Sequence, residues 1–507
     1  MNTDDCSADP AAAWIQSRPV MTAVGSEFAF DTTRNWLEAC LKDHPVCCRP
    51  EPPHLPTRVI DVGTERHNDG AVRLHISKPA ETYAYATLSY CWGGPQPVLL
   101  KAANIDEMTR EIPLDPLPQT IKDAIRVTRR LGIRFLWIDA LCIIQEGDES
   151  DKMHEVGVMS EVYGNSTITI MAASAQSVSE GFLHKRAASS TISLPFYCKS
   201  GEIGTVQLIR SQLSRHDPMK PLNRRGWAFQ EQILSRRMII YGEKEQVWCC
   251  QTERCKQFPG STLTPVLDLS SLPPAAFGAE RYILSVGEAQ NLWENLVSEY
   301  TKRALSLSED RLAAVTGVID SLKPLFQDDC AFGIWHKNFL RQVVWHRNYI
   351  ETNPGDKKWQ EVLSCAPEWS WASRTFPVKF QKDFEPCGKG KEHWKVVADS
   401  KAVLTGKLKR GHDMTEEDRN GLISATWDIL SPELPRTNFV MNYKNNEMFY
   451  LLCGYHSSRR PDGLQKDIIT LALERRGDGV YRRLGVVFFD MEITTFDNEV
   501  DQEVVLV

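Results

Sequence analysis

The hydrophobic period switches back and forth between residues 85 and 172, and this alternation constrains the fold more than any other feature of the chain. Residues 85–89 (YATLS) read as a buried strand. It ends in Tyr90-Cys91-Trp92-Gly93-Gly94-Pro95, whose glycine pair and proline force a loop. Leu117, Ile121, Ala124, Ile125, Thr128 and Leu131 then recur on one helical face, with Gly132 at the C′ position. Residues 135–139 and 140–144 are apolar enough for a strand buried on both faces, interrupted by the carboxylate of Asp139. Asp148, Glu149, Ser150 and Asp151 open a second helix, where acids complement the helix dipole. Met153, Val156, Met159, Val162 and Tyr163 form its expected buried stripe, and Gly164-Asn165 stops it. Residues 167–172 (TITIMA) are a third strand. The order strand–helix–strand–helix–strand predicts an α/β fold with a mostly parallel sheet and right-handed crossovers.

Around this core the pattern is looser. Trp36, Leu37, Cys40 and Leu41 predict a helix over 33–43, and Pro50, Pro52, Pro53 and Pro56 break the segment after it. Strands are expected at 58–62 and 72–76, and a hairpin at 194–198 and 205–209. A helix is expected over 224–234, with short strands at 238–241 and 246–249. Residues 263–277 are rich in Pro, Ser and Leu and read as a linker. A helical stretch leads on to 326, then a mixed, strand-rich remainder with Trp369 and Trp371. The expected division is an N-terminal extension at 1–80, a core at 81–260 and a helical, then strand-rich region at 261–507.

Composition narrows the function. The 507 residues carry 59 Lys+Arg against 66 Asp+Glu, a net charge of −7, so no overall positive field exists to hold nucleic acid. The basic doublets Arg236-Arg237, Arg475-Arg476 and Arg482-Arg483 read as solvated faces. The first residues have acids where a signal peptide needs bases, and no run of 18 apolar residues occurs. A cytoplasmic chain with reduced thiols and no membrane span is expected. Phosphate-loop, dinucleotide, HExxH, GxSxG and CxxC motifs are absent.

Several constellations can carry chemistry. Cys40 and His44 share a helix face and Cys47 comes soon after, which suits a soft divalent metal with Cys48 or His54 as a fourth ligand. The plainer reading is two buried thiols and a histidine at a helix end. Cys249, Cys250 and Cys255 raise the same question more weakly. Ser89, Tyr90 and Trp92 sit where a buried parallel strand meets its loop, the end where such sheets bind ligands. A tight aromatic turn is the alternative. Asp139 is either functional or paired with Arg126, Arg129 or Arg130. Trp227 and Glu231 lie at i, i+4, an aromatic and a carboxylate suited to a cationic, oxocarbenium-like centre. Their bland reading is a helix-start acid paired with Arg224, Arg225 or Arg237. Cys91 with His154 is a weaker nucleophile pair, and Cys142 weaker still.

Residues 85–93 (YATLSYCWG), 117–125 (LPQTIKDAI), 136–145 (LWIDALCIIQ), 159–163 and 225–231 (RGWAFQE) together resemble the fungal heterokaryon-incompatibility (HET) domain. Residues 36–47, 55–58, 300–315 and 366–373 are similar to regions that flank it in long members. The resemblance implies a role in nonself recognition, with programmed cell death when incompatible hyphae fuse. It also implies a remote likeness to Toll/interleukin-1 receptor (TIR) domains, and so a TIR-like core. Some TIR domains hydrolyse NAD with a glutamate four residues after a tryptophan, the spacing of Trp227 and Glu231. On that analogy Glu231 and Asp139 are the catalytic carboxylates. Ser89, Tyr90, Trp92 and Trp227 would contact NAD, and no metal is required. The alternative is a non-catalytic module that signals by self-association or by binding another incompatibility protein.

Overall fold

In the computed structural model the chain divides into two compact units, Met1–Tyr282 and Ile283–Val507. The structure describes residues 9–15, 22–47, 52–63, 71–186, 191–209, 221–243, 246–252, 256–257, 272, 284–348, 362–387, 394–397, 400–414, 422–427, 448–460, 463–490, 496 and 499–507. The expected linker, Cys48 and Cys255 lie outside the described residues, apart from Leu272 in the linker.

The first unit opens with α1 (Glu27–Asp43), longer than the predicted helix because Ser26 caps it, its hydroxyl accepting from the Ala29 amide at 3.3 Å. Strands β1 (Arg58–Asp61), β2 (Arg73–Ile76) and β3 (Tyr85–Ser89) come next, then the short α2 (Ile105–Arg110). Helix α3 (Gln119–Arg130) buries Ile121, Ala124, Ile125 and Thr128 as the spacing predicts. It ends in a Schellman turn. The Gly132 amide donates to the Arg129 carbonyl and the Ile133 amide to Thr128, with Gly132 at φ 74°. The chain continues through β4 (Phe135–Trp137), a single helical turn α4 (Asp139–Cys142), α5 (Glu149–Asn165) and β5 (Ile168–Met171). The hairpin β6 (Thr191–Tyr197) and β7 (Ile203–Ile209) precedes α6 (Ala228–Leu234), β8 (Arg237–Tyr241), β9 (Gln246–Cys250) and β10 (Lys256–Gln257).

Eight strands form one sheet in the order β10-β9-β8-β5-β3-β4-β1-β2. The central β8, β5, β3 and β4 are parallel. The expectation of a mostly parallel sheet fails at both margins, where β1, β2, β9 and β10 pair antiparallel, so the sheet is mixed. From β3 the chain crosses to β4 on one side and then to β5 on the other. Right-handed crossovers therefore put α3 and α5 on opposite faces. Helix α1 packs on α3, and α6 packs on α5. Tyr85 donates its hydroxyl to the Val162 carbonyl at 2.7 Å and Tyr163 to Leu88 at 3.0 Å, which pins α5 to β3.

Other expectations also need correction. Asp139 does not interrupt a strand: β4 stops at Trp137, and Asp139 begins α4. Met153 is exposed, and Glu155 takes the inward position because the buried Arg58 guanidinium lies 3.5 Å away. Arg236, Arg237 and Arg483 are buried rather than solvated, since each guanidinium donates to backbone carbonyls that need a partner. Among the described residues no helix is long and apolar enough to cross a membrane.

The second unit begins with helices Val286–Tyr300 and Ala313–Phe326. Trp293, Trp335, Trp345, Trp369 and Trp371 are all fully buried there, and Trp293 and Trp371 both donate to the Gly333 carbonyl. Strands Lys401–Arg410, Met448–Arg460, Gly463–Gly477, Val480–Asp490 and Asp501–Leu506 pair in succession and close into a ring.

Candidate functional site

The connections that leave β3 and β5 run to opposite sides of the sheet, so the switch point lies at the carboxyl end of β3. Ligands bind α/β sheets at such switch points. Ser89 is the last residue of β3 and is fully buried. Its hydroxyl donates a short hydrogen bond to Oε2 of Glu231. Glu231 stands in the first turn of α6 and is only 2 % exposed. Beneath this contact Thr87 and Thr169 pair at 2.8 Å, Thr169 and Ser235 at 2.5 Å, and Ser235 donates to the Glu231 carbonyl at 2.6 Å. This chain of hydroxyls fixes α6 against the sheet.

One turn of loop beyond Ser89, the half-buried Trp92 donates Nε1 to Oδ2 of Asp139 at 2.8 Å. The other oxygen of Asp139 accepts from the Ala140 amide at 2.7 Å. Both partners of Asp139 are thus local to the site, and none of Arg126, Arg129 or Arg130 binds it: Arg129 donates to Val62 and Arg130 pairs with Glu27.

Tyr90 is buried beside Asp139. Burial first, then the neighbouring Asp139 charge, push its pKa well above 10, so it stays a neutral donor. Arg225 donates to the Tyr90 carbonyl. Burial alone would lower its pKa, but Glu231 and then Asp139 outweigh that and hold it above its usual value.

The structure brings Ser89 to Glu231 and Trp92 to Asp139, with Arg225 bound to the Tyr90 carbonyl beside them. Trp227 is half-buried at the N-cap of α6, and its carbonyl accepts from the Glu231 amide at 3.4 Å. Sequence reasoning names Arg225 only among three candidate partners of Glu231, and it misses Thr87, Thr169 and Ser235. The RGW run just ahead of Glu231 is the signal that singles Arg225 out. The thiol candidates fare worse. Burial pushes Cys91 up to about 11 and Cys142 up to about 12, and His154 is exposed on α5. Neither thiol ionises readily at neutral pH.

Gly93 sets the loop that carries Trp92. It sits at φ 70°, and a Cβ there would overlap Ser177. The Val178 amide donates to the Trp92 carbonyl at 3.2 Å, so this neighbour is tied to the same loop and cannot easily yield. Gly93→Ala is expected to cost about 3 kcal/mol from left-handed strain and overlap together. Calorimetric melting of the two proteins checks this, and an unchanged transition would contradict it.

Residues 85–231 match the family described as heterokaryon incompatibility protein (HET). The interval begins with β3 and ends on Glu231 itself. No curated protein matches the chain, and no solved structure does. The segment that holds Ser89, Trp92, Asp139 and Glu231 is therefore similar to the heterokaryon incompatibility domain.

Proposed function

We propose that this chain drives a cytoplasmic cell-death response in fungal nonself recognition by hydrolysing NAD at the carboxyl end of β3 and β4. One observation carries the reading: a carboxylate, Glu231, is held by Ser89 at the ligand-binding end of parallel strands. The half-buried Trp92, Trp227 and Asp139 stand above or beside this buried floor in sequence and fold. The proposal also leans on the likeness to TIR domains, an argument by analogy.

The chemistry balances simply. Glu231 leaves Ser89 for the ribose diol. The bond between ribose carbon and nicotinamide nitrogen breaks, and its electron pair departs with neutral nicotinamide. The carboxylate stabilises the oxocarbenium ion left behind. Water adds to that carbon and releases a proton, giving ADP-ribose. No metal and no redox partner enters. Trp92 or Trp227 stacks on the leaving ring, Tyr90 donates from below, and Asp139 holds the Trp92 indole in place.

The test is NAD loss catalysed by the purified full chain, wild type against Glu231→Gln, in monomeric and self-associated fractions. Glu231→Gln keeps the shape of the side chain and is expected to lower turnover at least about 100-fold, with circular dichroism unchanged. Equal turnover in both proteins would mean that another carboxylate does the work.

A second reading has its own observation. On the hairpin, Ile192 pairs with Leu208 and Leu194 with Val206, so all four share one face, and Ile192, Leu194 and Leu208 are exposed. A two-stranded sheet with an open apolar face is marginal alone. A second copy of the chain would cover it, as a signalling module that acts by assembly requires. Absence of NAD turnover in every assembly state favours this reading.

A further inference from the structure

Four soft donors from distant parts of the chain converge on one point of the first unit. Cys40 and His44 lie one turn apart at the end of α1, Cys47 sits in the next turn, and Cys250 closes β9. Their ligand atoms all lie within 4.8 Å of one another. Cys250 Sγ is 3.5 Å from His44 Nδ1. A tetrahedral zinc, with Zn–S near 2.3 Å and Zn–N near 2.0–2.1 Å, sets a sulfur-to-nitrogen edge of about 3.6 Å and sulfur-to-sulfur edges of about 3.8 Å. One edge therefore already has the coordination length, and the rest need to close by about 1 Å at most.

We propose that Cys40, His44, Cys47 and Cys250 bind one zinc ion in a closed, structural site. The surroundings fit that charge. Three thiolates around a divalent ion carry one net negative charge, and buried Arg237 supplies the positive one. Its Nε donates to Cys40 Sγ at 3.2 Å, and it donates again to the Cys47 carbonyl. An outer-shell donor of this kind fixes a ligand and tempers its charge. Zinc binding displaces the thiol protons to solvent. Four protein ligands leave no open position, which makes the site a clamp rather than a catalyst.

The neighbouring candidates fall away. His54 is exposed outside the cluster, and Cys249 packs into an apolar core with Met171, Leu222 and Met238. The clamp joins the segment before the family interval to the segment after it, since its ligands lie at 40–47 and 250 while the interval spans 85–231. It stands independently of the NAD reading.

The test is the metal content of the full chain, purified under reducing conditions without chelator, beside Cys250→Ser and His44→Ala. His44 is only half-buried, so its removal leaves the fold the better intact. Wild type is expected to carry about one zinc per chain and each variant less than about one fifth of that. Cobalt(II) added to the metal-stripped, reduced wild-type chain should give the ligand-field bands of a tetrahedral thiolate site, weakened in His44→Ala. Three outcomes overturn the proposal. They are a zinc-free wild type with no cobalt bands, a disulfide joining any two of the three cysteines in the chain isolated without reductant, and full zinc content in both variants.

Discussion

Arg225→Met is expected to destabilise the first unit by about 3–5 kcal/mol, the usual consequence of removing one partner from a buried charge cluster. The guanidinium donates to the Tyr90 carbonyl, and the charges of Glu231 and then Asp139 act on it. Its loss orphans that carbonyl and removes the positive charge that acts on both carboxylates, beside a tyrosine too high in pKa to ionise. Ser89 and Trp92 each retain one hydrogen bond to a carboxylate, but neither brings a positive charge. Neutralising one acid should therefore repair part of the damage. Arg225→Met with Glu231→Gln is expected to recover stability relative to the single variant, with a coupling of about 1.5–3 kcal/mol in the double-mutant cycle. Urea unfolding of the four proteins measures it. A cost below about 1 kcal/mol for Arg225→Met would mean that water already screens the cluster.

The second unit is expected to lose stability in mild acid through a single histidine. His346 is buried, its ring stands nearly perpendicular to that of Phe488, and its Nδ1 has no hydrogen-bond partner among the described residues. Burial, with smaller contributions from the Lys379 and Arg483 charges, lowers its pKa to about 3 from an ordinary 6.5. Between those values the unfolded chain binds a proton that the folded chain refuses. The stabilising contribution is complete above pH 6.5 and is lost as pH falls toward 3. The slope is about 1.4 kcal/mol per pH unit, for a total on the order of 5 kcal/mol. His346→Gln cannot take up the proton. Melting curves of both proteins between pH 7 and pH 3 should diverge as the pH falls, the wild type dropping faster. Parallel curves would show that His346 titrates normally.

The legible parts of the fold are those written in local periodicity. Helix α3 shows its buried face and its Gly132 stop in the sequence, and β3 and β5 show uniform burial. The run from Phe135 to Ile144 misleads because an apolar stretch does not tell a strand from a strand followed by a helical turn. Strand direction is not encoded in hydrophobicity at all. Even so, the short link from Tyr241 to Gln246 is too brief for a parallel crossover and could have flagged β8–β9 as antiparallel. Met153 misleads because the inward place goes to Glu155, which a distant arginine neutralises. Within the site, the pairing of Trp227 with Glu231 follows from spacing. Ser89 with Glu231 and Cys250 with His44 join residues 142 and 206 positions apart, and only the folded chain can show them.

The limits of the family interval have a consequence for how such a domain can be inherited or transplanted. Residues 85–231 contain β3, β4 and β5, yet β4 takes β1 as its neighbour and β5 takes β8, both from outside. Cut at those limits, the fragment would keep only three strands of the large sheet, with two raw margins, each a row of unpaired amides and carbonyls ready to recruit another chain. The motif is thus the readable centre of a larger cooperative body. A recombination breakpoint placed at its borders would yield an aggregating piece, whereas one that carries the outer strands along would transfer a domain able to fold.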